Sequence, residues 1–509
     1  MLPCPGTCRP QGNPGPDSHQ ESGARIPQGE SHVPERFGSV SDPLEHTDLI
    51  VIGGGSAGFA AAIRGHELGA QVVMVNDGTI GGTCVNVGCV PSKTLIRAAE
   101  ARHRAARTPF EGIETSSRVT DFGAVIRQKD ELVASLREAK YEEVLAAHDR
   151  VRLVRGRARL GRDGSVRVGG RTLRAERVIV ATGSRPRLPE IPGLRDARPL
   201  DSTALFSLDE QPESLIVLGG RYVALECAQM MSRLGTRVTL LQRSEHVLPT
   251  ESEELTSSLE RYLRGEGVDV VTSVTIEQVT RTGGRVAVKA RVVGEPRTFR
   301  AAEILTATGR RPNTDGMDLE QAGIALDPAG HVVVDETLES TRRGVYAAGD
   351  VAGEPAFVYT AAYEGRLAAD NALGPVRRAR DYRALPWVVF TDPQVAGVGL
   401  DARQAEEQGI AVDVARLGLE HVPRALAARD TRGFVELVRR RGSDELLGAR
   451  VLAPEGGELV MEAALAIRHG IGVSQLASAF HPYLTLAEGI KLCAQAFDRD
   501  VSRLSCCSA

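Results

Sequence analysis

The segment Asp48-Leu49-Ile50-Val51-Ile52 runs straight into Gly53-Gly54-Gly55-Ser56-Ala57-Gly58 and then into an Ala-rich stretch ending near Gly69. An apolar run closed by glycines in this way predicts a buried parallel strand, a tight turn and a helix. Glycines at 53, 55 and 58 let helix and strand approach closely, and the first turn of the helix then faces the pyrophosphate of a dinucleotide. A second strand is expected at Gln71 to Val75, followed by Asn76 and Asp77. An acid usually ends this strand and binds a ribose hydroxyl; Asn76 retains one acceptor for that bond.

The same pattern returns at Ser214-Leu215-Ile216-Val217-Leu218, followed by Gly219-Gly220-Arg221-Tyr222 and a helix to about Gly235. Arg221 stands where the middle glycine is usual. The next strand, Arg237 to Leu241, ends in Gln242-Arg243. No carboxylate is present there for the ribose of NAD, whereas an arginine pairs with the 2′-phosphate of NADP, so NADPH is the expected nucleotide.

Two further strands end in glycine. Arg177 to Ser184 passes through Thr182 and Gly183, and Val345 to Asp350 closes on an aspartate suited to nucleotide hydroxyls. Ile304 to Arg310, with Gly309, closes the second unit, and Pro186, Pro189 and Pro192 mark a stiff linker. The second unit therefore interrupts the first. The expected borders are an unstructured extension at 1–46, rich in Pro, Gly, Ser, His and Gln; a first unit at 47–192; an inserted unit at 193–312; a return at 313–380; and a last domain at 381–509. Helices are expected over 94–107 and 124–147, and a small sheet over 151–168. In the last domain strands are expected near 386–399 and 433–453 and helices near 457–469 and 485–497; with no glycine fingerprint, it is a candidate for subunit contact. Three or four domains suit 509 residues.

A net charge of −4 leaves no excess of cations for nucleic acid phosphates. No apolar run reaches 18 residues and no secretory pattern opens the chain, so a cytoplasmic protein without a membrane span is expected. Its eight cysteines are then catalytic, metal-binding or buried thiols rather than a disulfide framework.

Two of them stand in Gly81-Gly82-Thr83-Cys84-Val85-Asn86-Val87-Gly88-Cys89-Val90-Pro91-Ser92-Lys93. Cys84 and Cys89 form a dithiol that can close to a disulfide and reopen, with Lys93 one helical turn beyond the second thiol. Cys506 and Cys507 are adjacent near the end. Neighbouring Cα atoms lie about 3.8 Å apart, below the roughly 4.4 to 6.8 Å that suits a disulfide, so this pair is better placed to offer two soft thiolates to a soft metal ion. Cys4 and Cys8 read as thiols in a loose tail. Cys227 and Cys493 lie in apolar helical segments and read as buried and inert.

Two nucleotide units, one interrupted by the other, with the G-G-T-C-x4-C-x2-S-K stretch and a separate last domain, resemble the flavin disulfide oxidoreductases over about residues 47 to 509. The resemblance implies an α/β fold: two Rossmann-like dinucleotide-binding domains, the FAD domain interrupted by the NAD(P) domain, and a C-terminal α+β dimerisation domain. It implies FAD in the first unit, with Gly53, Gly55, Gly58 and Asp350 at the cofactor, and for FAD and NADPH together the further contacts Asn76, Gly82, Thr83, Thr182, Gly183, Gly219, Arg243 and Gly309. Lys93 and Glu226 would form an ion pair near the flavin ring, Cys89 would face the flavin, and Cys84 would face the substrate.

Members that reduce organic disulfides carry a His-Pro base five residues before a glutamate on the partner subunit. Here Tyr483 is five residues before Glu488, and His481 is seven before it. A phenol of pKa about 10 is a poor proton carrier near neutral pH. Tyr483, Tyr222 and the pair Cys506-Cys507 resemble instead the mercury-reducing branch of that family, as do Val422 to Leu426 and Asp430 to Phe434. That branch implies Hg(II), delivered as thiol complexes, as substrate; a homodimer with composite sites; and Cys84, Cys89, Cys506 and Cys507 as metal ligands. Tyr222 and Tyr483 would line the metal's position, or would gate the nicotinamide and pack at the interface. The competing readings are a reductase of a small disulfide and a thiophilic-metal-binding flavoprotein without turnover.

Overall fold

The computed structural model describes residues 44–500 of the chain. Strand β1 (Leu44–Ile52) leads into helix α1 (Ser56–Glu67) and strand β2 (Val72–Asn76). The strand starts ahead of the border expected at 46/47, because residues from Leu44 onward already pair with the strand running from Arg171. Alternate residues of β1 feed two separate cores: Leu49 and Val51 pack with α1, and Ile50 and Ile52 pack on the opposite face. This two-sided burial is why the run is continuously apolar.

The dithiol stretch is helical on both sides of Gly88. Short α2 (Gly82–Val87) carries Cys84, and α3 (Cys89–Ala106) begins on Cys89 itself, five residues ahead of the expected start at 94. Pro91 sits within the first turn of α3, where a missing N–H costs nothing. Strands β3 (Val151–Arg155), β4 (Ala158–Leu160), β5 (Val166–Val168) and β6 (Arg171–Val180) follow. The small sheet expected over 151–168 does not stand apart. β3 pairs parallel with β2 and β5 pairs antiparallel with β6, giving the order β3-β2-β1-β6-β5-β4 in one seven-stranded sheet. Its seventh strand, Val345–Ala347, pairs parallel with β6, so the chain returns to this sheet after the insertion.

The inserted unit is a parallel sheet of β8 (Ser214–Leu218), β9 (Arg237–Leu241), β10 (Asp269–Val271) and the strand Glu303–Thr306, with an antiparallel three-stranded meander over Val274–Ala301. Where the chain leaves and re-enters the first unit, β7 (Ser184–Pro186) pairs with Arg310–Pro312. The last domain is an antiparallel five-stranded sheet from Trp387–Val389 to Leu446–Ala453, covered by helices Gly456–His469 and Glu488–Gln495. No helix among the described residues is long and apolar enough to cross a membrane.

Candidate active site

Gly53, at φ +124°, ends β1, and a Cβ there would lie 2.1 Å from the Ala181 carbonyl oxygen. A Cβ on Gly58 would lie 1.9 Å from the Gly53 oxygen. The turn therefore holds helix and strands in direct backbone contact, as the fingerprint requires. Asn76 supports the same turn: its Oδ1 accepts from Gly54 N at 2.9 Å while its Nδ2 donates to the Gly78 carbonyl at 2.7 Å. A cleft of about 450 Å³ opens where β1, β2 and β6 end, lined by Gly53, Asn76, Thr182 and Asn313 among others. Open parallel sheets take their nucleotide at this edge, and the glycine turn leaves its wall free of side chains, so the residues present fit FAD.

Gly82, at φ +61°, lies against Gly55: a Cβ at 82 would come 2.5 Å from the Gly55 Cα. This contact delivers α2 to the glycine turn. Asn86 fixes the dithiol loop by donating to the carbonyls of Ile80 and Gly82 at 2.8 and 2.9 Å, and Arg137 donates to its Oδ1 at 3.1 Å. Cys84 and Cys89 are both free thiols, partly buried. A hydrogen bond from Cys84 pulls Cys89 down to about 7, with help from the Lys93 ammonium and against burial. The same hydrogen bond, with burial, pushes Cys84 well above the ordinary thiol range. The two thiols are thus driven in opposite directions, Cys89 towards the thiolate and Cys84 towards the thiol, and the helix dipole at the start of α3 also favours charge on Cys89.

Lys93 Nζ lies 2.6 Å from Glu226 Oε2, tying α3 of the first unit to the helix Tyr222–Leu234 of the second. Glu226 is buried, and its other oxygen accepts from Phe390 N at 3.1 Å. The ammonium lies 4.5 Å above the Phe390 ring. Three segments distant in sequence therefore meet at the expected ion pair, and Phe390 was not foreseen.

Asp350 accepts from Ser184 Oγ at 2.5 Å, and Arg310 donates to both the hydroxyl and the carbonyl of Ser184 at 2.7 Å. Burial lowers the pKa of the Arg310 guanidinium, partly offset by Asp350. Neither Ser184 nor Arg310 was expected; the Thr-Gly-Arg after the strand at 304–306 was the available signal for the latter. Thr182 and Asn313 bond reciprocally, Oγ1 to carbonyl at 2.8 Å and Nδ2 to carbonyl at 2.9 Å. Gly183 and Gly309 take positive φ at the two crossings between units. In the second unit Gly219, at φ +122°, repeats the role of Gly53, with Ala307 O in place of Ala181 O. Arg243 is exposed just beyond the end of β9. Thr83 sits on α2 beside Gly88, whose Cβ would meet its carbonyl at 2.9 Å.

Tyr222 is the first residue of its helix, and burial pushes its phenol up to about 12. Tyr483 is exposed in the last domain beside Leu484 and Phe480, which are exposed as well. His481 is held in place: its Nε2 lies 2.9 Å from Glu462 Oε1 and its side chain is nearly fully buried. Cys227 and Cys493 are buried, as expected, and burial raises both thiols. Cys4, Cys8, Cys506 and Cys507 lie outside the described residues. Among the described residues no group of three or more His, Cys, Asp or Glu is arranged to hold a metal ion.

A profile for the pyridine nucleotide-disulphide oxidoreductases matches residues 47–365, and one for their dimerisation domain matches residues 385–494. The chain belongs to this family. Within the pyridine nucleotide-disulphide oxidoreductases it is 46% identical over 467 residues to a mercuric reductase of Streptomyces lividans, covering 91% of this chain and 98% of the relative. It is 42% identical over 461 residues to a mercuric reductase of Staphylococcus aureus, covering 91% and 84%. Among solved structures it resembles LpdA of Mycobacterium tuberculosis, at 30% identity and a TM-score of 0.79 over 89% of this chain and all of that one. The Cu(II) complex of the HOCl-induced flavoprotein disulfide reductase RclA of Escherichia coli matches with 29% identity and a TM-score of 0.80, over 89% and 99%.

Proposed function

We propose that this chain reduces Hg(II) held by cysteine thiolates to Hg(0), consuming one NADPH per ion. The observation that carries the reading is a dithiol placed beside the Lys93–Glu226 pair in a chain with tyrosine where organic-disulfide reductases place their base. FAD bound at the first unit supplies the two-electron relay that connects NADPH to the metal.

Hg(II) is soft and prefers thiolate ligands to any other side chain. Cys84, on the substrate side, exchanges first: its sulfur bonds to the metal as one small thiolate leaves with the Cys84 proton. The Cys89 thiolate, on the flavin side, then displaces the second small thiolate. Lys93 stabilises the thiolate charge, and Glu226 fixes the ammonium so that it does not swing into solvent. After the ion accepts two electrons, both metal–sulfur bonds break, Hg(0) departs as a neutral atom, and the sulfurs, left as two thiolates, take up one proton from solvent to return to one thiolate and one thiol. Cys506 and Cys507 of the partner subunit perform the preceding exchange, taking Hg(II) from small thiols. Tyr222 and Tyr483 line the path of the ion. The cytoplasm, which keeps thiols reduced, is the compartment in which Cys84 and Cys89 stay available as ligands.

His481 does not substitute for the missing base, because its Nε2 is committed to Glu462 and its side chain is withdrawn from solvent. The deciding assay is anaerobic oxidation of NADPH with Hg(II) in excess thiol, with volatile mercury trapped. One equivalent of Hg(0) per NADPH is expected. Consumption of NADPH with glutathione disulfide or lipoamide but not with Hg(II) would reject the reading. Tight binding of Hg(II) with no turnover on any of these would leave a metal-binding flavoprotein.

A further inference from the structure

Tyr222, on the nucleotide-facing turn of the second unit, stands in an aromatic stack made by all three parts of the molecule. Its ring lies 6.0 Å from Trp387 at 28° and 6.1 Å from Phe357 at 33°. Phe357 precedes the helix Val358–Leu373 of the first unit, and Trp387 opens the first strand of the last domain. Phe357 stacks in turn on Tyr359 at 5.3 Å and 6°, and Tyr359 Oη donates to the Pro386 carbonyl at 2.6 Å, next to Trp387.

The berth around the indole is built for it. Trp387 pairs across the strands with Gly397, and a Cβ at 397 would come 2.6 Å from the indole ring. Only glycine lets the indole lie flat there. The Arg450 guanidinium lies 5.5 Å from the indole centroid and is itself fixed, donating to Glu251 at 2.7 Å and to Gln404 at 3.1 Å. Arg450 is buried, so this cation does not relax into solvent when the indole is removed. Such rigid aromatic neighbours give Tyr222 one preferred ring position.

We propose that Trp387 is a positioning residue that parks the Tyr222 ring, and that entry of the nicotinamide displaces the ring from this berth. The inference rests on the second unit being the NADPH site. Bound nucleotide then competes with the stack, so apparent affinity is reduced by the fraction of molecules in which Tyr222 is parked.

Trp387 is the single tryptophan of the chain, so tryptophan emission reports on its surroundings, this stack among them. Titration of the purified holoenzyme with NADP+ is expected to change that emission saturably. Trp387→Ala is expected to tighten NADP+ binding, measured by calorimetry, by roughly threefold to tenfold, the size of one aromatic pair. Trp387→Phe, which retains a ring, should return affinity towards the wild type, and Tyr222→Ala should add nothing further in the Trp387→Ala background. A merely structural role predicts the opposite sign, with weaker binding in Trp387→Ala. Weaker or unchanged binding in that variant, or a silent tryptophan while calorimetry shows NADP+ bound to the wild type, overturns the inference. If Trp387→Ala does not fold, the wild-type emission still decides it. Wild-type protein that binds no NADP+ rejects the nucleotide assignment itself. Tightening in Trp387→Ala together with failure to reduce Hg(II) supports the inference and rejects only the mercury reading.

Discussion

Gly55 and Arg221 occupy equivalent positions in the two glycine turns, and their backbones are nearly the same: φ −90° and ψ −170° at one, φ −105° and ψ −170° at the other. Both are extended conformations that any residue adopts, so conformation does not explain why one is glycine and the other arginine. Space does. In the first unit the dithiol segment folds back so that Gly82 packs on Gly55, with a Cβ at 55 already 3.6 Å from the Gly82 Cα. Arg221 is exposed, with no such segment in front of it among the described residues. A Cβ at 55 would make only ordinary contact, but a longer side chain would run into the segment that approaches it, and the same turn accepts a long cation where the residue is exposed.

Exchange at these positions breaks the comparison most directly. Gly55→Arg should push α2 off the turn and yield protein without the flavin absorbance and without Hg(II) reduction, a loss of at least about a thousandfold when the reacting groups are displaced. Retained flavin and activity would show that the Gly55–Gly82 contact is not needed. Next in size, Arg243→Glu replaces the phosphate partner by a carboxylate, and the NADPH to NADH preference in kcat/KM should fall by roughly a hundredfold, the worth of about 3 kcal/mol of charge-assisted bonding. An unchanged preference would move 2′-phosphate recognition elsewhere.

The dithiol offers a third test, because each unit contributes one charge of the pair beside it. The rate of iodoacetamide inactivation of the reduced protein should rise with pH about a midpoint near 7, since the reactive thiolate forms above that value and is lost below it. Lys93→Met removes a cation that favours the thiolate and should raise the midpoint by about one unit; Glu226→Gln removes an anion that disfavours it and should lower the midpoint. Equal shifts of one sign in both variants would contradict this assignment of charges. Smallest of all, Arg221→Gly should change the KM for NADPH by no more than about threefold, the scale of one exposed charge, and a much larger change would make Arg221 a principal phosphate ligand.

Much of this was legible in residues close together in sequence. Both strand–turn–helix units, the Cys84–Cys89 dithiol and the tyrosine five before Glu488 are local patterns whose physics is local: backbone space, thiol spacing and side-chain acidity. The insertion of one unit into the other was legible too, because each strand ending in glycine has its own signature. What escaped was assembled from distant segments. Ser184, Arg310 and Asp350 converge from three places, and no spacing within any one of them points to the other two. The edge strands at 151–168 read as a separate sheet because a short alternating strand does not say which neighbour it will pair with.

The dithiol shows the same division at one site. Sequence alone determined that two thiols five residues apart, set among glycines and followed by a lysine, form a redox or metal-holding pair. Tertiary structure supplied the surroundings that favour charge on Cys89 over Cys84. Cys89 begins α3, Lys93 is pinned by Glu226 from the other unit, and Cys84 is turned to donate its hydrogen bond. Acidity depends on fields and partners in space, and the chain brings those together only when the two units pack.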